Sequence, residues 1–257
     1  MIEVSQFTKC YDDFTAVNSI SFDVPAGRVA ALVGPNGAGK TTTIRTLCGI
    51  LSPTAGDLHV AGASLNDNPL AVKRRTAYVP DDPPLFDSMT VDDHLRFIAS
   101  AYRLTDWEPL AEELCGQFEL TEKRETIASG LSRGMRQKVA IVCAYLRQPS
   151  VLLLDEPMTG LDPPSIRRFK QTVREQADRG ATVLVSSHLL SLVDDICDHL
   201  VLMRRGEVLF HGPLEQARQE FGGDSHSLEE VFFRLTSEDS DFEDSISEDS
   251  ISEEESA

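Results

Sequence analysis

The chain has 257 residues, with 24 lysines and arginines against 42 aspartates and glutamates, a formal charge of −18. Hydrophobic residues make up 41% and charged residues 26%, an ordinary globular composition whose length suits one large α/β domain or two small ones. The charge excludes a generally basic nucleic-acid binder and a polybasic membrane anchor, and uncharged apolar runs such as residues 139–146 fall well short of the ~20 residues that span a bilayer.

In chain order, MIEVSQFTKC lacks the basic start and apolar stretch of a secretory leader. Residues 2–7 and 17–24 read as short antiparallel strands. Residues 28–33, RVAALV, run apolar up to Gly34, the pattern of a strand buried on both faces. Ile44, Leu47 and Ile50 recur at helical spacing, so 40–50 reads as a helix. From about 83 to 148 no strand is clear, and 91–102, 107–118 and 134–146 read as helices. That stretch is expected to be a helical subdomain inserted into the core. Residues 151–154 and 181–185 are two more buried strands, with a helix over 163–179 that has proline at its start. Residues 200–210 read as short strands around a turn, expected to be antiparallel. Strand–helix–strand order implies a parallel sheet with helices on its faces. Five scattered cysteines with no C-x-x-C pair read as buried free thiols rather than a zinc site. Residues 236–257 carry ten acids and no base, so a disordered acidic tail is expected after a single domain over 1–235.

Residues 34–41 read Gly-Pro-Asn-Gly-Ala-Gly-Lys-Thr, a full match to G-x-x-x-x-G-K-[ST] placed between a strand and a helix. Gly34, Gly37 and Gly39 are expected to allow backbone angles closed to other residues, so that successive N–H groups converge on an anion. The helix that follows adds its positive end. Lys40 supplies an ammonium for the β- and γ-phosphates, and the Thr41 hydroxyl is placed for Mg²⁺. The buried strand 151–154 leads into Asp155 and Glu156. A carboxylate at such a strand end is costly unless it meets a cation. Asp155 therefore suits the magnesium, and Glu156 suits a general base acting on the attacking water.

The segment Leu131-Ser132-Arg133-Gly134-Met135-Arg136-Gln137-Lys138 lies ahead of Asp155 by 23 residues, counted from Ser132. It resembles the signature motif of ATP-binding-cassette (ABC) proteins, in the form found in bacterial export ATPases. Other matches follow in the family's order. Tyr11 resembles the aromatic residue that stacks on adenine, Gly160-Leu161-Asp162 the D-loop, Ser186-Ser187-His188 the switch-histidine motif, and residues 227–235 the C-terminal helix.

The resemblance covers residues 1 to about 235. It implies a P-loop NTPase core with a parallel sheet, an N-terminal antiparallel β subdomain and an inserted helical subdomain. It implies ATP and Mg²⁺ as ligands, with nucleotide bound by Tyr11, Gly34, Asn36, Gly37, Ala38, Gly39, Lys40, Thr41, Thr42, Asp81, Ser132, Gly134 and Asp162. Metal would be held by Thr41 and Asp155, and hydrolysis carried by Glu156 and His188, the latter contacting the γ-phosphate and placing the water. Two copies would pair head to tail, each offering Ser132 and the Gly134 N–H to the other's ATP. The implied function is the ATPase subunit of an exporter, cytoplasmic and held at the inner face of the cell membrane by a separate multi-span permease. A soluble ATPase driving cytosolic assembly is the alternative, and no nucleic-acid partner is expected. Three positions depart from the family's pattern. Asp81 stands where glutamine is usual, which favours a hinge role and a metal contact confined to the closed state. Arg133 and Met135 stand where the signature usually has glycine and glutamine.

Overall fold

A computed structural model describes residues 1–188, 194–221 and Phe232. The N-terminal strands β1 (Ile2–Tyr11) and β2 (Phe14–Val24) form an antiparallel pair, longer than the sequence pattern suggests. Ile2, Val4 and Phe7 face inward. The alternation breaks at Gln6, whose φ of 49° marks a bulge. Strands β4 (Ala55–Val60) and β5 (Ala63–Ser64) complete a four-stranded sheet in the order β2-β1-β4-β5.

The second sheet has six strands in the order β10-β9-β3-β8-β7-β6. Its parallel part comprises β3 (Val29–Val33), β6 (Thr76–Val79), β7 (Val151–Asp155), β8 (Thr182–Ser187) and β9 (His199–Arg204). Only β10 (Glu207–Pro213) runs antiparallel, against β9. The antiparallel pair expected over 200–210 is therefore present, and its first strand also joins the parallel sheet through β3. Leu200–Met203 is buried, as an interior strand must be, whereas β10 alternates in exposure as an edge strand does.

Helices cover the sheet: α1 (Lys40–Leu47), α2 (Pro69–Arg75), α3 (Val91–Tyr102), α4 (Glu108–Gln117), α5 (Arg133–Leu146), α6 (Pro163–Asp178) and α7 (Leu214–Phe221). Alternate residues of β3 serve two cores. Val29, Ala31 and Val33 join the helices α3 to α6, while Ala30 and Leu32 join α1 and the antiparallel sheet. Between 83 and 148 the described structure is helical, apart from an isolated bridge of Thr90 with Ile127. Helix α3 opens on a reciprocal cap between Thr90 and Asp93.

Helix α1 stops before the expected residue 50. Gly49, at φ 72°, turns the chain, and the Ile50 N–H returns to the Arg45 carbonyl at 2.9 Å, which satisfies the helix end. Residues 55–75, for which no element was expected, form β4, β5 and α2. Cys10 and Cys143 are only partly buried, unlike Cys48, Cys115 and Cys197. The acidic tail and the expected C-terminal helix lie outside the described residues, apart from Phe232, which packs on the core.

The parallel strands are stitched at their amino ends by Asp198. Its Oδ2 accepts from the buried Val29 N–H and from Arg174, both at 3.0 Å, and its backbone N–H and carbonyl bond Val29 and Leu214. Asp198→Ala removes a charged acceptor from a buried donor and is predicted to lower unfolding stability by about 2 kcal/mol. Urea denaturation of the two proteins measures this; a difference below the fitting error contradicts it.

Candidate functional site

Parallel strands bring their carboxyl ends to one edge. Val33 registers with Ser187, and Asp155 with Ser186. At this edge of a parallel sheet, loops and helix amino-termini converge on ligands.

The loop from Gly34 to Gly39 joins β3 to α1. Gly37 and Gly39 have φ of 82° and 99°, which L side chains rarely adopt. Gly34 is required for a different reason than expected. Its φ is ordinary, but a Cβ there would collide with the Met203 carbonyl. Helix α1 has no side-chain cap and no acid in its first turn, so its first N–H groups remain for an anion. The turn between β9 and β10 braces the loop, with the Gly206 N–H on the Ala38 carbonyl at 3.2 Å. Met203 and Gly206 were not among the expected site residues; their contribution is packing that only the tertiary fold reveals.

Lys40 is 6% exposed. Its ammonium donates to the Gly34 and Pro35 carbonyls at 2.7 and 3.2 Å and lies 3.9 Å from Glu156. Burial pulls its pKa down, and the Glu156 and Asp155 carboxylates oppose that pull. Asp155 is 3% exposed. Its Oδ1 accepts from the Thr41 hydroxyl at 3.2 Å and from the Ser186 hydroxyl at 2.7 Å. The same Ser186 oxygen accepts the Glu156 N–H at 3.0 Å. Glu156 is held at φ 48°, an unusual conformation for a residue with a side chain. Its Oε2 lies 2.9 Å from His188 Nδ1. A carboxylate accepts only, so Nδ1 is the donor in this contact.

A cavity of about 370 Å³ collects Tyr11, Asn36, Gly37, Ala38, Gly39, Lys40, Thr41, Thr42, Asp81 and Glu156, with Phe14 and Ala16 added by the fold. Tyr11 ends β1 opposite Phe14 across a two-residue turn. Ser132, Gly134 and Asp162 do not line this cavity. Ser132 caps α5 by accepting the Met135 N–H at 3.3 Å. Asp162 caps α6 by accepting from Ser165 at 2.8 Å, bonding that holds its carboxyl below the usual range. Gly134 abuts the Gly160 carbonyl so closely that a Cβ would collide. One chain thus presents two surfaces: a phosphate-loop cavity, and outside it the capped start of α5, seated on the loop after β7.

Residues 17–159, more than half of the chain, match the ABC transporter family. The chain belongs to that family. It is 32% identical over 245 residues to the ABC-type transporter ATP-binding protein EcsA of Bacillus subtilis (strain 168), covering 95% of this chain and 99% of that protein. It is 34% identical over 211 residues to the SkfA peptide export ATP-binding protein SkfE of the same organism, covering 81% and 87%. A solved structure of the ATP binding subunit of an ABC transporter matches with a TM-score of 0.87 at 36% identity, covering 92% of this chain and 99% of that one. The chain is therefore an ATPase cassette, and its relatives favour a transporter subunit over an assembly ATPase. Among the described residues, no helix of the cassette is long and apolar enough to cross a membrane.

Ser186 deserves a place beside the expected site residues, because one hydroxyl fixes both Asp155 and the Glu156 backbone. Ser186→Ala is predicted to lower ATP turnover by about ten-fold or more, as the carboxylates lose their alignment, while ATP affinity changes by less than about three-fold. Steady-state hydrolysis and equilibrium ATP binding check the two halves of this statement; an unchanged turnover number overturns it.

Proposed function

We propose that this cassette drives export through a separate membrane subunit by closing two copies head to tail on ATP. The observation that carries the proposal is that Lys40, Thr41 and Glu156 line one cavity beside Asp155, while Ser132 and Gly134 of the same chain do not line it. A second copy would supply the missing side. Ser132 and the N–H groups at the start of α5 are polarised toward an anion, and ATP would join the two surfaces until hydrolysis releases them.

Within each copy the geometry supports the following roles. Tyr11 offers a ring for adenine. The loop 34–42 and Lys40 hold the phosphates. The Thr41 hydroxyl and the Asp155 carboxylate are neighbouring hard oxygen donors, which fit Mg²⁺. Magnesium there would offset phosphate charge. Glu156 takes the proton of the attacking water, and His188 holds the Glu156 carboxylate and places Nε2 beside it. Asp162 shapes the loop leading into α6. Asp81 enters the cavity from the end of β6 and serves as the hinge toward the helical segment 83–148.

The export direction is supported by relatives such as SkfE, which is described as a peptide export protein. The permease contact is assigned to an apolar cavity of about 340 Å³ between β6, α3 and α5, bordered by Pro83, Pro84, Leu85, Phe86 and Phe97. Phe86 and Phe97 are about half exposed and meet edge to face at 5.6 Å. His94 holds this lip, its Nε2 accepting the Phe86 N–H at 3.0 Å while Nδ1 bonds the Thr90 carbonyl. Docking there would hold the cassette at the inner face of the membrane.

A mixing experiment tests the head-to-tail arrangement. Lys40→Ala and Ser132→Arg copies are each predicted to be inactive alone. Mixed, they regain ATPase activity, because a heterodimer contains one site with an intact Lys40 from one copy and an intact Ser132 from the other. A mixture as inactive as its components contradicts the arrangement. For the permease contact, Phe97→Asp is predicted to abolish co-sedimentation with native membranes while ATP affinity stays within about two-fold, since the groove is separate from the nucleotide cavity. Undiminished membrane retention refutes that assignment.

A further inference from the structure

Two of the three departures from the family's pattern meet in space. Arg133 Nη2 donates to Asp81 Oδ1 at 3.1 Å, across 52 positions of sequence. Asp81 lines the same cavity as Lys40, Thr41 and Glu156. A carboxylate in that place repels a triphosphate. Lys40, a cation lining that cavity, is already directed to the Gly34 carbonyl and toward Glu156.

Arg133 is built to face Asp81. It is the first residue of α5, after the Ser132 cap. The turn that carries it is seated by the contact of Gly134 with the Gly160 carbonyl, and the Arg133 stem runs along Gly160, where an added Cβ would lie 3.4 Å from Arg133 Cδ. The positive end of α5 points the same way in charge. The side chains of Arg133 and Asp81 are 54% and 48% exposed, so the pair contributes little to folding. Its consequence lies in the charge presented to a ligand.

We propose that Arg133 is a positioning residue for ATP within its own chain: it neutralises Asp81, so that an acid can occupy the hinge beside the triphosphate. This rests on the cavity being the ATP site. Arg133 thereby couples the signature segment to nucleotide binding in the same copy, in addition to whatever that segment offers a second copy.

The test measures Mg–ATP binding by full-length protein in a Glu156→Gln background, which suppresses turnover. At low salt, Arg133→Ala weakens binding about five-fold, and the loss shrinks as salt rises through the range where the Debye length falls below ~8 Å. Adding Asp81→Asn to Arg133→Ala restores the affinity, and Arg133→Lys retains most of it. A packing role for Arg133 would be neither rescued by Asp81→Asn nor sensitive to salt. Unchanged affinity in Arg133→Ala, or a loss that survives in the double variant, overturns the proposal. Lys40→Ala in the same background separates the underlying reading: if it binds Mg–ATP as tightly as its parent, the cavity is not the ATP site, whatever Arg133 does.

Discussion

A carboxylate at the end of a strand buried on both faces is the constraint around which this protein is organised. Asp155 is almost fully enclosed, and an enclosed charge must be met by donors or cations. Thr41 and Ser186 supply two hydroxyl donors, from the first turn of α1 and from the neighbouring strand. The parallel register that sets Asp155 beside Ser186 also sets Glu156 and His188 within reach of each other. Without that register the acids would be two exposed residues in a turn. With it they belong to one hydrogen-bonded cluster at the sheet edge.

The second organising feature is a division of labour between the two faces of the sheet. One face carries α1 and the antiparallel sheet, and so holds the phosphate loop. The other carries α3 to α6, and so presents the start of α5 and the apolar groove. The loop after β7 touches both, because it begins at Asp155 and ends where Gly160 receives Gly134. Asp81 is the other crossing point, at the end of β6 and in contact with Arg133. A change at the nucleotide therefore has two short physical routes to the helical face, each made of packed or ion-paired groups.

Much of this was legible in the sequence. The phosphate loop, the Asp155–Glu156 strand end and the helices over 91–102 and 134–146 follow from spacing and apolar periodicity, which local rules govern well. Other features were hidden for identifiable reasons. In the segment 55–75, β4 is short, polar and alternates weakly, so it forms by pairing with β1 rather than by propensity, whereas α2 carried a local start signal in its Asn68 cap and Pro69 that went unread. The parallel alignment of β9 depends on its neighbour β3, a relation 169 residues long at Asp198 and Val29, which no local pattern records. The need for glycine at position 34 arises from the distant Met203 carbonyl rather than from its own φ. The pairing of Asp81 with Arg133 was invisible for the same reason: two unusual residues were noted separately, and only the fold sets them together.

In the proposed pair, a single nucleotide is enclosed by Lys40, Asp155 and Glu156 of one copy and by Ser132 of the other. The most direct measurement is a crystal structure of the Glu156→Gln protein grown with Mg–ATP. The expected result is two copies related by a two-fold axis, with each γ-phosphate within hydrogen-bond distance of the opposite copy's Ser132 hydroxyl. A triphosphate contacted by one copy alone, with Ser132 turned to solvent in a nucleotide-loaded pair, would contradict it.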